Sequence, residues 1–458
     1  MGVSSWRLAR AVSELGQLGV VSGTALDQVL ARRLQDGDPE GHMRRALDQF
    51  PFPAMAERIW RRFHIAGGKQ PNQPYLRLPL HEKDNPRDLQ ELCIVANFVE
   101  VYLAKEGHAN PAGINYLEKI QVPHLPSIYG ALLAGVDAVL MGAGIPLRLP
   151  GVLDRLALHQ DTTYPLYVIG ATADDDTTMT FCPRDFAEGT LPALRRPLCL
   201  PIIASNTLAL TLVKKANGRV DGFIIEGPTA GGHNAPPRGK LQLNEAGEPV
   251  YGERDVVDLA RIRELGLPFW LAGGYGSPAK LTAALEQGAT GVQIGTAFAF
   301  CEESGLRDDL KAELLSDPAP AVRTDPAASP TGFPFKIVQH GRTVSDDAIY
   351  AARPRICDLG YLREAYKQDD GQIGYRCAGE PVTTFVAKGG RAEDAAERRC
   401  LCNALMANIG LGQVRAGRHH EPGLITAGDG IGEVARFLRP GQQQYTAADV
   451  IHTMLGHQ

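Results

Sequence analysis

The sequence predicts an α/β fold built on a parallel sheet, and three observations carry that prediction. Short apolar runs alternate with helical patterns from Trp6 to about Phe300. The runs are apolar throughout, which indicates strands buried on both faces of a parallel sheet. Three of the runs end directly in glycines, which allow a backbone to approach a ligand closely.

The predicted elements follow one another as strand–helix units. Helices are predicted over Trp6–Leu15, Asp88–Lys105, Ser127–Ala134 and Thr207–Lys215, and near Val256–Leu265 and Ala279–Gln287. Strands are predicted over Gly19–Gly23, Gly113–Leu117, Ala138–Gly142 and Pro201–Ser205, and in three glycine-terminated runs, Ile224–Glu226, Phe269–Ala272 and Gly291–Ile294. A closed (β/α)8 TIM barrel needs eight strands. We therefore expect such a barrel, with its first strand missing from this chain, because the chain opens at the helix that should follow that strand.

Insertions and a C-terminal extension surround the predicted barrel. Residues near 25–85 are mixed and proline-containing, whereas residues near 161–198 alternate in polarity around Asp174–Asp176 and predict a β-hairpin. The strand–helix rhythm ends at about Phe300. We expect a barrel domain over residues 1–305 and an α-rich extension with a cysteine cluster over residues 306–458.

Composition excludes several classes of function. The chain has 458 residues and a formal net charge of −5, without long basic runs, which argues against a nucleic-acid partner. The start of the chain lacks a signal peptide, and the most apolar region, residues 130–146, is too short and too interrupted to span a membrane. These features favour a cytoplasmic enzyme.

The three glycine turns predict a ligand site. Backbone N–H groups at glycine turns can point together at a phosphate, and in (β/α)8 barrels the loops after the last two strands often do so. Gly273-Gly274 and Gln293-Ile294-Gly295-Thr296 occupy those places. His233 follows Gly231-Gly232 at the preceding strand end, where a histidine can act as a base or stabilise an anion.

These motifs resemble the nitronate monooxygenase family, formerly called 2-nitropropane dioxygenases. The resemblance rests on Thr229–His233, on the Ala-Gly-Gly strand end at Ala272–Gly274 and on the Gln-x-Gly-Thr strand end at Gln293–Thr296. It covers roughly residues 5–300 and implies an FMN-dependent barrel oxidoreductase, a flavoprotein related to the FMN-dependent enoyl-acyl-carrier-protein reductases.

The resemblance also implies roles for individual residues. Gly273, Gly274, Gln293, Ile294, Gly295 and Thr296 would hold the FMN phosphate. Asn115, Glu226, Gly231 and Gly232 would lie along the flavin, and His233 would meet the substrate as the catalytic residue. Glu226 stands where many members of the family have glutamine, and Pro228-Thr229 replaces the commoner Thr-Glu.

The implied reaction is oxidation of an alkyl nitronate, or of a nitroalkane, by O2 to a carbonyl compound and nitrite. An FMN-dependent enoyl-thioester reductase or NAD(P)H:acceptor reductase is the alternative within enzymes, and a flavin-binding protein without turnover is the alternative outside them. The expected partners are a small-molecule substrate, nitronate or enoyl-type acceptor, and O2. The sequence leaves a homodimer open.

Four of the eight cysteines, Cys357, Cys377, Cys400 and Cys402, lie close together in the sequence. Four thiols can bind zinc or an iron–sulfur cluster. Their spacing lacks paired Cys-x-x-Cys motifs, so we expect buried thiols and no metal, with the metal site as the alternative. A further expectation is that residues 329–335 fold back over the flavin pocket as a lid.

Overall fold

A computed structural model describes residues 1–416 and 419–456 of the chain. The strands are β1 (Gly19–Ser22), β2 (Ala112–Leu117), β3 (Ala138–Gly142), β4 (Thr162–Pro165), β5 (Val168–Ile169), β6 (Thr178–Phe181), β7 (Leu198–Ile203), β8 (Phe223–Glu226), β9 (Gly232–His233), β10 (Phe269–Ala272), β11 (Gly291–Gln293), β12 (Val322–Asp325), β13 (Phe335–Val338), β14 (Glu364–Lys367), β15 (Ile373–Arg376), β16 (Val414–Arg415) and β17 (His419–His420).

The helices are α1 (Trp6–Glu14), α2 (Leu26–Gln35), α3 (His42–Leu47), α4 (Pro53–Phe63), α5 (Arg87–Lys105), α6 (His124–Leu133), α7 (Leu149–Ala157), α8 (Asn206–Lys215), α9 (Leu259–Arg263), α10 (Pro278–Glu286), α11 (Thr296–Ala299), α12 (Asp308–Ser316), α13 (Asp347–Ala352), α14 (Val382–Ala387), α15 (Ala392–Ala395), α16 (Leu401–Ala407) and α17 (Ala447–Leu455). None of those in the described residues has the length and apolar character that a membrane crossing requires.

The central sheet has seven strands in the order β1-β2-β3-β7-β8-β10-β11, and each neighbouring pair is parallel. The predicted parallel α/β fold and the seven predicted strands are therefore confirmed. Within the described residues, no strand pairs with the outer edge of β1 or of β11.

The inner face of the sheet packs on itself. Leu140, Leu200 and Ile224 belong to one small buried cluster, and Val20 from β1 and Trp270 from β10 pack against it. Because β1 and β10 lie in opposite halves of the sheet order, the sheet must be curled for both to reach this cluster. Helices cover the outer face, as strands with apolar residues on both sides require.

The larger insertions take defined structures. Residues 25–85 form α2, α3 and α4, and the predicted hairpin in residues 161–198 is confirmed by antiparallel pairing of β4 with β6, with Asp174–Asp176 in the connection. The C-terminal extension contains helices α12–α17 together with short strands. One of these strands, β13, pairs with β9, so the extension reaches the glycine turns of the sheet.

Helix α5 is buried along most of its length and crosses α6 at close range. Gly130 on α6 makes this crossing possible. A Cβ atom at this position would lie only 2.1 Å from the carbonyl oxygen of Ile94 on α5. The missing side chain thus sets how closely the two helices approach.

We expect Gly130→Ala to lower the free energy of unfolding by about 1–3 kcal/mol, because the added methyl group must push the two backbones apart. Urea denaturation would measure the change. The matched control is Gly341→Ala, where a Cβ atom would meet no neighbour within 4 Å. Equal stabilities for the two variants would show that the crossing tolerates a side chain.

Candidate active site

The candidate site lies at the carboxyl end of the central sheet, where β8, β10 and β11 end. Gly273 and Gly274 follow β10 directly and have φ angles of 93° and 74°. This backbone conformation favours glycine. The turn therefore needs these two residues, and it leaves the adjacent backbone free of side chains.

His233 lies on the two-residue strand β9, a few residues after Thr229, which contacts this turn. Its Nε2 atom lies 2.7 Å from the hydroxyl oxygen of Ser329, and its ring packs edge-on against Phe335 with the centroids 4.6 Å apart. Burial lowers the pKa of His233 to about 4. The imidazole is therefore neutral at neutral pH, and one of its ring nitrogens already has a hydrogen-bond partner.

Glu226 is the last residue of β8. Since Ile224 belongs to the inner cluster and side chains alternate along a strand, Glu226 points to the same inner face. Among the described residues it takes part in no ion pair, and burial raises its pKa to about 8. A carboxyl group with this pKa is mostly protonated at neutral pH and can donate a hydrogen bond.

Asn115 lies on β2, three strands away from β8 in the sheet. It is paired in register with Leu140 of the inner cluster, so it also faces the interior of the curled sheet. Its Oδ1 atom is buried and has no hydrogen-bond partner among the described residues. An unpaired buried amide oxygen is unusual and indicates a missing ligand or water.

A segment of the extension covers the glycine turns. This segment, Ala427-Gly428-Asp429, is called the strap below. The N–H of Gly428 donates to Thr296 Oγ1 at 2.8 Å, and the N–H of Asp429 donates to the carbonyl of Thr229 at 3.1 Å. The strap thus joins the turn after β8 to the turn after β11.

Close backbone contact requires glycine on both sides of the strap. A Cβ atom on Gly231 would lie 2.7 Å from the Gly428 nitrogen, and one on Gly428 would lie 2.6 Å from the Thr229 carbonyl oxygen. Lys336 on β13 adds an ion pair to Asp429 at 2.6 Å. The strap is therefore held by β13 as well as by the turns.

The structure brings the sequence-predicted residues to one end of the sheet. Gly231, Gly273, Gly274 and Thr296 surround Thr229 and the strap. Gln293 ends β11, and Ile294 and Gly295 connect it to α11, with open space next to Gly295. Glu226 and Asn115 face the inside of the sheet, and Gly232 pairs with Lys336 next to His233.

Sequence reasoning missed several residues at this end of the sheet. Ser329, Phe335 and Gly428 contact the site from segments far away in the chain. In the sequence, the glycines on either side of Asp429 were the one feature that could have indicated the close backbone contact of the strap. Residues 329–335 reach His233 through Ser329 and Phe335, whereas their place over a flavin pocket and their function as a lid stay predictions.

Glu118 is another residue that the sequence did not indicate. It follows β2 directly and accepts a hydrogen bond from the Tyr164 hydroxyl at 2.6 Å. Burial raises its pKa to about 7, although the hydrogen bonds from Tyr164 and Gln121 oppose that rise. Its neighbour Lys119 stands over the ring of Phe333, 5.4 Å from the centroid.

The residues present fit a flavin mononucleotide. Glycine turns with open space at Gly295 suit a phosphate, and the unpaired Asn115 Oδ1 can accept a hydrogen bond from a ring N–H. The protonated Glu226 adds a donor on the same inner face. FMN needs donors and acceptors of this kind along one side and a backbone without side chains at its phosphate end.

A curled parallel sheet of seven strands with a glycine-turn site at its carboxyl end corresponds to most of a (β/α)8 barrel, which has eight strands. Residues 187–324 match the family model for nitronate monooxygenase. The chain is 29% identical over 230 residues to the nitronate monooxygenase of Pseudomonas aeruginosa, covering 49% of this chain and 57% of that protein. Residues 187–324 of the chain are therefore similar to the nitronate monooxygenase family.

Two further relatives show the range of the similarity. The probable nitronate monooxygenase of Bacillus subtilis is 33% identical over 128 residues, which are 28% of this chain and 35% of that protein. An octahydro-indene-carboxyl-CoA dehydrogenase of Rhodococcus jostii is 33% identical over 115 residues, 25% of this chain and 28% of that protein. The chain thus spans between about a quarter and somewhat over half of these relatives' lengths.

The raised pKa of Glu226 gives a testable pH dependence. The unfolded chain ionises this group near pH 4.5, whereas the folded protein retains the proton up to about pH 8. The folded state therefore binds more protons in this window, and its stability falls as the pH rises through it, by up to about 1 kcal/mol per pH unit. Urea denaturation between pH 5 and pH 8 should show that the free energy of unfolding falls less steeply with pH in Glu226→Gln than in the unmodified protein.

The exposed Glu286 on α10 provides the control. Glu286→Gln should leave the pH dependence of stability as in the unmodified protein. If Glu226→Gln and Glu286→Gln gave the same pH profile, the carboxyl of Glu226 would have an ordinary pKa.

Proposed function

We propose that this protein is an FMN-dependent oxidoreductase that oxidises alkyl nitronates with O2 to a carbonyl compound and nitrite. The observation that carries the proposal is a half-buried, neutral His233 directly after Gly231-Gly232, at the end of the sheet where glycine turns suit a flavin phosphate. When bound, FMN would accept electrons from the substrate and react with O2. Asn115, Glu226 and the turns after β10 and β11 would hold it.

The state of His233 favours a nitronate over a neutral nitroalkane. A base with a pKa of about 4 takes an α-proton poorly at neutral pH, because general bases work best with a pKa near the working pH. A nitronate has already lost that proton. It needs only hydrogen-bond donors to its charged nitro oxygens, and a neutral imidazole N–H supplies one.

Ser329 and Phe335 position the imidazole. The contact with the Ser329 hydroxyl fixes one ring nitrogen, so the other, Nδ1, is left for the substrate. Phe335 limits rotation of the ring and helps to exclude water from this side. Ser329 thus acts through His233, and it is a positioning residue.

The enoyl-thioester or NAD(P)H:acceptor reductase remains the second candidate, because one relative is named as a carboxyl-CoA dehydrogenase. Both candidates use a small-molecule substrate and the same flavin, and they differ in the electron donor.

We further propose a cytoplasmic location for the protein. A homodimer can be tested by light scattering of the flavin-loaded protein.

A visible spectrum followed by anaerobic mixing with an alkyl nitronate tests the proposal. We expect a yellow protein whose flavin absorbance bleaches on mixing, and O2 uptake with nitrite release in air. Bleaching by NADPH but not by the nitronate would favour the reductase. A yellow protein that responds to neither would be a flavin-binding protein without turnover.

His233→Asn should retain the flavin and lower kcat/KM for the nitronate by about 10²-fold or more, since an oriented donor to the developing charge is lost. The control is His452→Asn on the exposed side of α17, which should keep full activity. Unchanged turnover in His233→Asn would exclude this histidine from the reaction.

A further inference from the structure

The four late cysteines come together in the folded chain. Cys357, Cys377, Cys400 and Cys402 line one small cavity, although they derive from three separate segments. Cys377 follows β15, Cys400 precedes α16 and Cys402 lies in the first turn of that helix. Cys357 comes from the loop after α13.

Each of the four thiols lies within electrostatic range of the other three. Burial, followed by the neighbouring Cys400, raises the pKa of Cys357 to about 11. Burial and the other three cysteines likewise raise the pKa of Cys377. The pKa of Cys402 is raised by burial first, and then by Cys400 and Cys357. Four thiolates in this place would need a strong compensating positive charge.

Backbone N–H groups surround the sulfur atoms. The N–H of Gly360 lowers the pKa of Cys357, and the N–H of Gly379 lowers that of Cys377. The N–H of Asn403 has the same effect on the pKa of Cys400. The N–H groups of Tyr361 and Leu362 do the same for Cys402. Neighbouring N–H groups stabilise thiolates and are a feature by which proteins tune metal–thiolate centres.

Two guanidinium groups add positive charge next to the cysteines. Arg353 Nη2 lies 3.4 Å from the sulfur of Cys400, and Arg363 lines the cavity and lowers the pKa of Cys357. An iron–sulfur cluster bound by four thiolates carries a net negative charge. Arg353 also forms an ion pair with the buried Glu421, so it would offset only part of that charge, and Arg363 would add to it.

The sulfurs are too far apart for a single ion. Zinc–sulfur bonds of about 2.3 Å place the sulfurs of a tetrahedral site roughly 3.8 Å from one another. Among the described residues, the only three potential ligands that all lie within 4.8 Å of one another are those of Asp27, His81 and Cys93. The four late cysteines instead line one shared cavity between their three segments.

We propose that Cys357, Cys377, Cys400 and Cys402 bind a [4Fe–4S] cluster. Each cysteine would bind one iron at a corner of the cluster, which separates the sulfurs more widely than a single ion does. The sequence spacing left buried thiols and a metal site as alternatives, and the shared cavity and the N–H groups favour the metal.

The cluster would lie next to the candidate active site. Pro330 lines the cysteine cavity, and the adjacent Ser329 contacts His233. Arg398, two residues before Cys400, donates to the carbonyls of Ala327 and Ser329 at 2.7 Å. A bound cluster would therefore hold the loop that orients His233.

Iron and sulfide analysis of protein purified anaerobically from iron-supplied cells tests the proposal. We expect about four irons and four acid-labile sulfides per chain, and a Mössbauer spectrum of a [4Fe–4S] cluster after labelling with ⁵⁷Fe. Fewer than one iron per chain after anaerobic reconstitution with Fe²⁺ and sulfide would overturn the proposal. Stoichiometric zinc in its place would do the same.

Cys402→Ser should lose most of the iron, whereas Cys199→Ser, a buried cysteine on β7, should keep it. Equal iron in the two variants would contradict the assignment. If Cys402→Ser is insoluble, the Mössbauer spectrum of the unmodified protein decides alone. Flavin content and nitronate turnover are measured separately, so that failure of the proposed function leaves this result interpretable.

Discussion

The site depends on one backbone interaction, the antiparallel pairing of β9 with β13. Strand β9 has only two residues and follows a glycine turn, so alone it could not hold His233 in place. Pairing with β13 fixes its direction and sets Phe335 against the imidazole. The same strand carries Lys336, whose ion pair with Asp429 anchors the strap. One short strand of the extension thus orders both sides of the candidate site.

The electrostatic character of the site follows from burial more than from charge pairs. Burial moves the pKa of His233 down and the pKa of Glu226 up, so both groups are uncharged near pH 7. An uncharged pocket interacts with an anionic ligand through oriented N–H and O–H groups, and such groups act strongly where water is excluded. This arrangement suits a substrate that brings its own charge.

Local sequence patterns predicted much of the fold and part of the site. Apolar runs and glycine ends locate seven strands correctly because strand burial and glycine turns are local properties. Ser329 and Gly428 could not be predicted in the same way, since each reaches the site across long stretches of chain. The four late cysteines were named from the sequence, but their shared cavity could not be predicted for a related reason. Its four residues come from three segments, and only their packing shows that they meet.

The interlocked glycines at Gly231 and Gly428 also bear on how the protein folds. The parts of the site are spread from Asn115 to Asp429, and the strap that joins them comes last among them in the sequence. During synthesis the central strands emerge and can pair long before the strap exists. The site then closes in a late docking step, and the many distant contacts predict slow folding. A nascent chain would therefore hold a nearly complete sheet with an unfinished candidate site until the strap has been synthesised.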